Sequence, residues 1–423
     1  MQNRRHGLWL LLLLSLALGA WTGSDFFFRM AWLFAGLLVV SVLWCWFTLR
    51  HISLIRQTLA RRAQVGGNLG EHLEIRNRSW LPGLWLELRD YSSLPGHRVS
   101  QVVPALGRRK AWEWDVGTKC LARGEFRLGP MTLASGDPFG FHYAIRKLDE
   151  ISRIIIYPAT VGLESFELPF GEITGGNILR RRTHYVTTNA TGVRDYAPGD
   201  SFNRIHWRSS ARRNSLMVKE FELDPQLDIW ILMDFSAESL VEHDSLQRVN
   251  GDGPAITTDA LPRSTEEYGV VAAASLARHF LEEADRAVGF VAWGPKREIL
   301  QPESGERQLN QILQILAVGR SVSGHSLEQM LAVEMPHMTR GTSLIIVTSS
   351  LDVRWVREAR VLKRRGVRPL CILVDPFSFG GEQPADDLLA NLHLERIPVV
   401  PIQMDDDIAF ALSRRSAVRL STF

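Results

Sequence analysis

Cysteine is scarce in this chain. Among 423 residues only Cys45, Cys120 and Cys371 occur, far apart, so neither a disulfide framework nor a zinc-ligand spacing can be assembled. That fits a reducing compartment. An excess of charge of one sign is also missing. The 49 Lys and Arg stand against 46 Asp and Glu, a formal net charge of +3, too little to point to nucleic acid as a partner. There is no Walker loop, no His-Glu-x-x-His, no Gly-x-Ser-x-Gly and no Cys/His pair at useful spacing. The common nucleotide-hydrolysing, zinc-protease and serine-hydrolase constellations are therefore excluded, and no catalytic residues are expected.

Long apolar runs and tryptophan are plentiful instead. Of the 13 Trp, Trp9, Trp21, Trp32, Trp44 and Trp46 fall in the first fifty residues. Leu8 to Trp21 is apolar throughout, and Phe26 to Leu49 is interrupted only by Arg29. A bilayer core takes ~20 helical residues, so residues 1–50 are expected to form a membrane anchor of two transmembrane helices. Ala17-Leu18-Gly19 leaves a second reading open for the first run, a cleaved signal peptide. Arg50, Arg56, Arg61 and Arg62 follow the second run, whereas the connector carries only Asp25 and Arg29. The positive-inside bias then places the soluble part in the cytoplasm, at a bacterial-type inner (plasma) membrane.

Short alternating runs fill residues 67–160: His72 to Ile75, Leu84 to Leu88, Arg98 to Val103, Ala111 to Asp115, Gly124 to Leu128 and Ile151 to Tyr157. Turn residues punctuate them, which predicts an all-β, immunoglobulin-like sandwich. Asp137-Pro138-Phe139-Gly140 lacks every other part of a kinase site and reads as a structural turn. Residues 161–191 read as a linker. Its Arg180-Arg181-Arg182 triplet is expected to be a solvated charge run, with contact to anionic lipid as the alternative.

From 223 to 423 strands alternate with helices. Asp228–Met233, Ala287–Trp293, Ser343–Thr348, Pro369–Val374 and Ile397–Ile402 are strand-like, and Glu266–Ala284, Arg307–Ala317, Leu327–Ala332, Asp352–Arg365 and Asp386–Leu392 helical. This predicts a Rossmann-like α/β domain with a parallel sheet covered on both faces. Ligands of such sheets bind at the carboxyl ends of the strands, where Asp234, Ser349 and Asp375 stand. His243 to Ser264 breaks the pattern and is expected to be a loop above that edge.

Between these parts lies Gly192 to Glu222, in which Arg194, Arg204, Arg208, Arg212, Arg213 and Lys219 alternate with Asp195, Asp200, Glu220 and Glu222 around Tyr196, Trp207 and Phe221. Pro198-Gly199-Asp200 is a turn, and Asp200 or Ser201 suits the cap of a short helix. Two readings suit the stretch. One is an internal clamp of buried Arg–carboxylate pairs, Asp200 with Arg204 above all, packed beside Trp207. The other is a partner-docking surface.

The run Val193, Arg194, Tyr196, Pro198, Gly199, Asp200, Arg204, Ile205, Trp207, Ser210, Ala211, Arg212 resembles the hallmark of the domain-of-unknown-function 58 family. Val218-Lys219 and Phe221-Glu222 match the strand that comes after it, and Leu128-Gly129-Pro130, Asp137 to Gly140 and Tyr157-Pro158 also look like this family. The resemblance implies that the back half is a von Willebrand factor A-like domain. Such domains hold Mg²⁺ through Asp-x-Ser-x-Ser, a loop Thr and a later Asp, a hard cation taking oxygen ligands. Here Asp234 and Ser236 stand, but Glu238 occupies the third position, His325 replaces the Thr, and Thr348-Ser349-Ser350 replaces Thr-Asp-Gly. The expectation is a metal-free loop set without a cofactor. Mg²⁺ on Asp234, Ser236 and Glu238 is the alternative, and with it a metal-dependent hydrolase that also draws on His325. The resemblance further implies partnership with a MoxR-type AAA+ ATPase and with a transglutaminase-like membrane protein. The expected function is thus a membrane-anchored cytoplasmic adaptor, with no nucleic acid bound.

Overall fold

The computed structural model describes residues 3–163, 166, 168, 190–197, 205–213, 215–221, 228–242 and 262–415. They fall into two compact units, one holding the chain up to Ala159 together with Leu316–Val318 and one holding most of the chain from Thr160 onward.

The first unit opens with two helices, α1 (Asn3–Thr22) and α2 (Asp25–His51). Gly23, at φ +65°, lets the chain reverse between them. A side chain on Gly19 would come within 3.3 Å of the Phe28 ring, so the helices lie close together near the connector. Among the described residues only α2 is long and apolar enough to cross a membrane; the apolar part of α1, His6–Thr22, is 17 residues. At 1.5 Å per residue it spans about 25 Å, short of a ~30 Å hydrocarbon core. Of the expected pair of transmembrane helices, only α2 thus has the length and composition of a span.

β1 (Ile52–Thr58) follows α2 without a break, so the β part begins at Ile52 and not near residue 67. β2 (Arg62–Gln64), β3 (Asn68–Asn77), β4 (Gly83–Asp90), β5 (Gln101–Leu106), β6 (Ala111–Lys119), β7 (Gly124–Leu128), β8 (Met131–Gly136), β9 (Tyr143–Leu148) and β10 (Ser152–Tyr157) complete it. They form three sheets, ordered β1-β3-β6, β2-β10-β7 and β5-β4-β8-β9. Period-two alternation puts Leu73 and Ile75 of β3, Leu86 and Leu88 of β4, Val103 of β5 and Leu133 of β8 into one core with Leu49 of α2.

In the second unit β11 (Ala190–Asp195) pairs antiparallel with β12 (Met217–Phe221), and α3 (Trp207–Arg213) lies in the chain between them. The remainder is an α/β layer structure. Its strands are β13 (Ile229–Met233), β14 (Val288–Trp293), β15 (Arg297–Glu303), β16 (Ser343–Thr348), β17 (Arg368–Val374) and β18 (Val399–Ile402). They line up as β15-β14-β13-β16-β17-β18, all parallel except β15. This is a doubly wound order, reversing between β13 and β16. β13, β14 and β16 are buried on both faces and so read as unbroken apolar runs. Trp230 and Leu232 face α6 (Leu327–Glu334), α7 (Arg354–Arg364) and α8 (Asp386–Leu394). On the opposite face α4 (Thr265–Arg278) comes so close that a side chain on its Gly269 would touch Met233 and Val347. α5 (Glu306–Val318) and α9 (Ile408–Arg415) complete the helices among the described residues.

Candidate functional site

In a doubly wound sheet the crevice for ligands opens at the switch point, outside the carboxyl ends of the two strands where the order reverses. Here those ends are Asp234, after β13, and Thr348, closing β16. Asp234 is 2% exposed. Its Oδ1 accepts the Ser236 N–H at 2.9 Å, and its Oδ2 accepts the Thr348 hydroxyl at 2.6 Å. Thr348 Oγ1 in turn accepts the Ser350 N–H at 2.9 Å. The crevice is thus bridged by a hydrogen bond from one strand end to the other.

Neighbouring loops are stitched in the same way. Ser349 and Thr265 both donate to the Ser239 carbonyl, at 2.5 and 3.0 Å, and Ser239 donates to Ser236 O at 2.8 Å. Glu266 accepts the Ser321 N–H at 2.5 Å. Between Asp234, Ser239, Thr265, Glu266, Ser321 and Thr348 there is no room for a water molecule. Burial pushes the Asp234 carboxyl above its ordinary value; the bonds from Thr348 and Ser236 pull it back only in part, and the nearby Glu238 charge adds to the rise.

The three candidate metal ligands do not share one environment. Asp234 and Ser236 are buried, whereas Glu238 is exposed on a short turn (Ala237–Ser239). His325 is exposed too, with its ring edge-on to Trp293 at 5.2 Å. Among the described residues no three His, Cys, Asp or Glu side chains are grouped to hold a metal ion. Asp375, the third strand-end candidate, caps a short turn by accepting the Phe377 N–H at 3.1 Å.

The signature stretch presents a different surface. Ser210 anchors α3 inward: its Oγ accepts the Met217 N–H at 2.9 Å and donates to the His206 carbonyl at 3.1 Å. Tyr196 N–H bonds Leu216 O at 2.8 Å, and His206 N–H bonds Met217 O at 2.8 Å, so the chain before α3 is tied to the start of β12. Ile205, Met217 and Val218 are buried beneath. With that face used, residues 207 and 211, and 208 and 212, at i,i+4 spacing form the outward stripe. Trp207 is 67% exposed, and Arg208, Arg212 and Arg213 are exposed beside it. The Asp200–Arg204 pair that the clamp reading sets beside Trp207 lies outside the described residues. Arg194 and Lys219 lie on the paired strands β11 and β12. Pro198, Gly199, Asp200 and Arg204 fall outside the described residues, as do the Arg180–Arg182 triplet and most of the His243–Ser264 loop.

A charged cluster that the sequence did not announce sits inside the first unit. Arg56 of β1 donates to Glu71 of β3 at 2.8 Å and to Asp90 of β4 at 3.2 Å. His97 Nε2 lies 3.3 Å from Glu71, 3.3 Å from Asp90 and 3.0 Å from Arg56 Nη2. Its Nδ1 bonds the Thr118 hydroxyl of β6 at 2.8 Å. All four charged side chains are buried. Two carboxylates against one guanidinium leave a negative charge that an imidazolium balances. Burial pulls the His97 pKa down, but the bonds to Asp90 and Glu71 and their charges outweigh it, and the net shift is upward. For Glu71 and Asp90 burial works upward, and the bonds and charges of His97 and Arg56, with the Ser92 hydroxyl on Asp90, bring both below their ordinary values. Arg56, counted in the sequence among the free cations after α2, is thus committed to this cluster.

Against known proteins, the family described as "Protein of unknown function DUF58" matches residues 192–250, which hold the signature hairpin, β13 and the Asp234 turn. The "Uncharacterized protein YeaD" of Bacillus subtilis (strain 168) is 23% identical over 337 residues, covering 75% of this chain and 74% of that protein. These two matches support the DUF58 family. Among solved structures, the CARDB domain of the PF1109 protein from Pyrococcus furiosus is 11% identical, with 25% of this chain and 91% of that one covered and a TM-score of 0.19. The pilus adhesin SpaC from Lactobacillus rhamnosus GG is 10% identical, with 45% and 29% covered and a TM-score of 0.30. Both likenesses are too slight to bear on the fold. The DUF58 match ends at residue 250, so it takes in Asp234 but not its partner Thr348.

Proposed function

We propose that this chain is a membrane-anchored cytoplasmic adaptor whose signature helix docks a partner, a MoxR-type AAA+ ATPase. In this reading α2 anchors the chain in the inner membrane, Arg50, Arg61 and Arg62 hold its end on the cytoplasmic side, and the front β unit is an immunoglobulin-like sandwich. The doubly wound second unit is a von Willebrand factor A-type domain whose adhesion-site loops have been turned into an internal hydrogen-bond lock. A transglutaminase-like membrane protein is the second expected member of the assembly.

One observation carries the docking reading: Trp207, two-thirds exposed, with Arg208, Arg212 and Arg213 around it. Exposed Trp and Arg are the residue types most enriched among binding hot spots. A core helix has no use for them on its outer face. The Asp234–Thr348 bridge adds support, since a sheet edge closed by its own side chains offers a small substrate no entry. The test uses the full chain in detergent and a purified MoxR-type ATPase from the same source. Trp207→Ala combined with Arg212→Glu is expected to weaken binding at least about tenfold, roughly 1.4 kcal/mol, with the melting temperature of the chain unchanged. Equal affinity of parent and variant would sink the reading.

A further inference from the structure

The β8–β9 turn is fastened to the side of α2. Ser41 donates to Asp137 Oδ2, the Cys45 thiol bonds the carbonyls of Ser135 and His142, and Arg146 donates to the carbonyls of Leu49 and Ile52 at 3.0 and 3.1 Å. Residues 41, 45 and 49 lie on one face at i,i+4 spacing, and all three are buried. Asp137 also fixes the turn itself: Oδ1 accepts the His142 N–H at 2.7 Å and Oδ2 the Phe139 N–H at 3.2 Å. The turn is therefore rigid, and its height along α2 is set by Ser41.

That height falls inside the apolar run, which continues to Leu49. A second marker gives the same level. Gly19 and Phe28, equally far from the Gly23-Ser24 connector, lie side by side. Counted onward in step, Ser41 of α2 is level with His6 of α1, where α1 passes from Asn3-Arg4-Arg5-His6 into its apolar stretch. Both positions are about 25 Å from the connector at 1.5 Å per residue, within about 5 Å of the far side of a ~30 Å bilayer core. The Asp137–His142 turn thus stands at the boundary between headgroups and acyl chains.

Its side chains suit that place. Phe139 is 50% exposed and stacks on Phe141 at 6.2 Å. Trp85, 49% exposed, lies beside Gly136 on the adjacent strand β4. In water such a patch is a liability, whereas aromatic rings are enriched where a membrane meets water. We propose that the β8–β9 turn is a membrane-inserting loop, with Phe139, Phe141 and Trp85 seated in the headgroup region of the bilayer that α2 crosses. The β unit is then held against the lipid surface instead of swinging from a single helix.

The inference rests on the reading of α2 as a membrane span, and the test separates the two. The three native cysteines are buried, so single exposed cysteines in the full chain take an environment-sensitive fluorophore. The positions are Phe139→Cys, Leu33→Cys on the exposed side of α2, and Asp149→Cys at the opposite end of the β8–β9 hairpin. The chains are reconstituted in phosphatidylcholine–phosphatidylglycerol vesicles carrying nitroxide lipids, labelled either near the headgroup or deep in the acyl chain. Phe139→Cys is expected to be quenched several-fold more than Asp149→Cys, and most by the headgroup nitroxide. Leu33→Cys is expected to respond most to the deep one. Quenching at Leu33 with Phe139 no more quenched than Asp149 overturns the inserting turn alone. Absence of quenching at Leu33 overturns the membrane span and the inserting turn with it.

Discussion

Arg56, Glu71, Asp90 and His97 come from separate stretches of the first unit, and each is costly to bury alone. Together they nearly cancel, and the directions of their shifts set the pH dependence. His97 lies above its ordinary 6.5, so the stability it adds is complete below about that pH and is lost as pH rises through the higher folded value. Glu71 and Asp90 lie below their ordinary 4.5 and 3.8. Their contribution is present above those values and is lost as pH falls through the folded ones. The thermal midpoint of the β unit is therefore expected to be highest between about pH 4.5 and 6.5 and to fall on both sides. In His97→Gln the fall above that window should vanish while the acid limb stays. Arg56→Ala strands two buried carboxylates and is expected to cost about 3–5 kcal/mol at neutral pH. A midpoint within experimental scatter of the parent would show that the cluster is hydrated and not buried.

Neighbouring strands constrain one another just as tightly. Trp230 on β13 pairs in register with Gly289 on β14, and a Cβ at Gly289 would sit 2.7–2.9 Å from the indole ring. Glycine is required there by the space the buried Trp230 ring takes, not by its backbone angle. Gly289→Ala is expected to lower stability by about 1–3 kcal/mol through overpacking. Adding Trp230→Leu should recover part of the loss, and simple additivity of the two changes in denaturant unfolding would refute the contact. At this scale much was legible in the sequence. Ser343–Thr348 and Gly124–Leu128 form strands over the residues their patterns marked. Asp352 accepts the Arg354 N–H at the entry of α7, and Gly366, at φ +89°, comes just after its end. β1, β2, β8, β9 and β15 carry no comparable local signal. β1 abuts the apolar helix and inherits its hydrophobicity, while β8 and β9 flank a turn whose punctuation hid them. β15 is an exposed edge strand with mixed polarity.

Across the whole molecule, the proposed membrane anchoring turns on the lengths of α1 and α2. With one helix long enough to cross, deletion of residues 1–22 is expected to leave the chain in the membrane fraction after alkaline extraction. Its release into the supernatant would show that α1 shares the anchoring. Helix α3 belongs to the unit that does not contain α2, so the proposed partner contact and the proposed lipid contact at Phe139 draw on different units.

Local pattern by itself determined the apolar span, the alternation of the β part, the parallel α/β order of the back half and the family signature. All of these are encoded within a few residues by periodicity, capping and turn chemistry. Tertiary structure alone decided that Asp234 and Thr348, 114 positions apart, close the strand-end crevice on each other, and that Trp207 faces outward. It also decided that Asp137 belongs to α2 and that Arg56 belongs to a buried cluster. Which polar group meets which depends on strand register and on the faces other elements have already taken, and no local period carries that information.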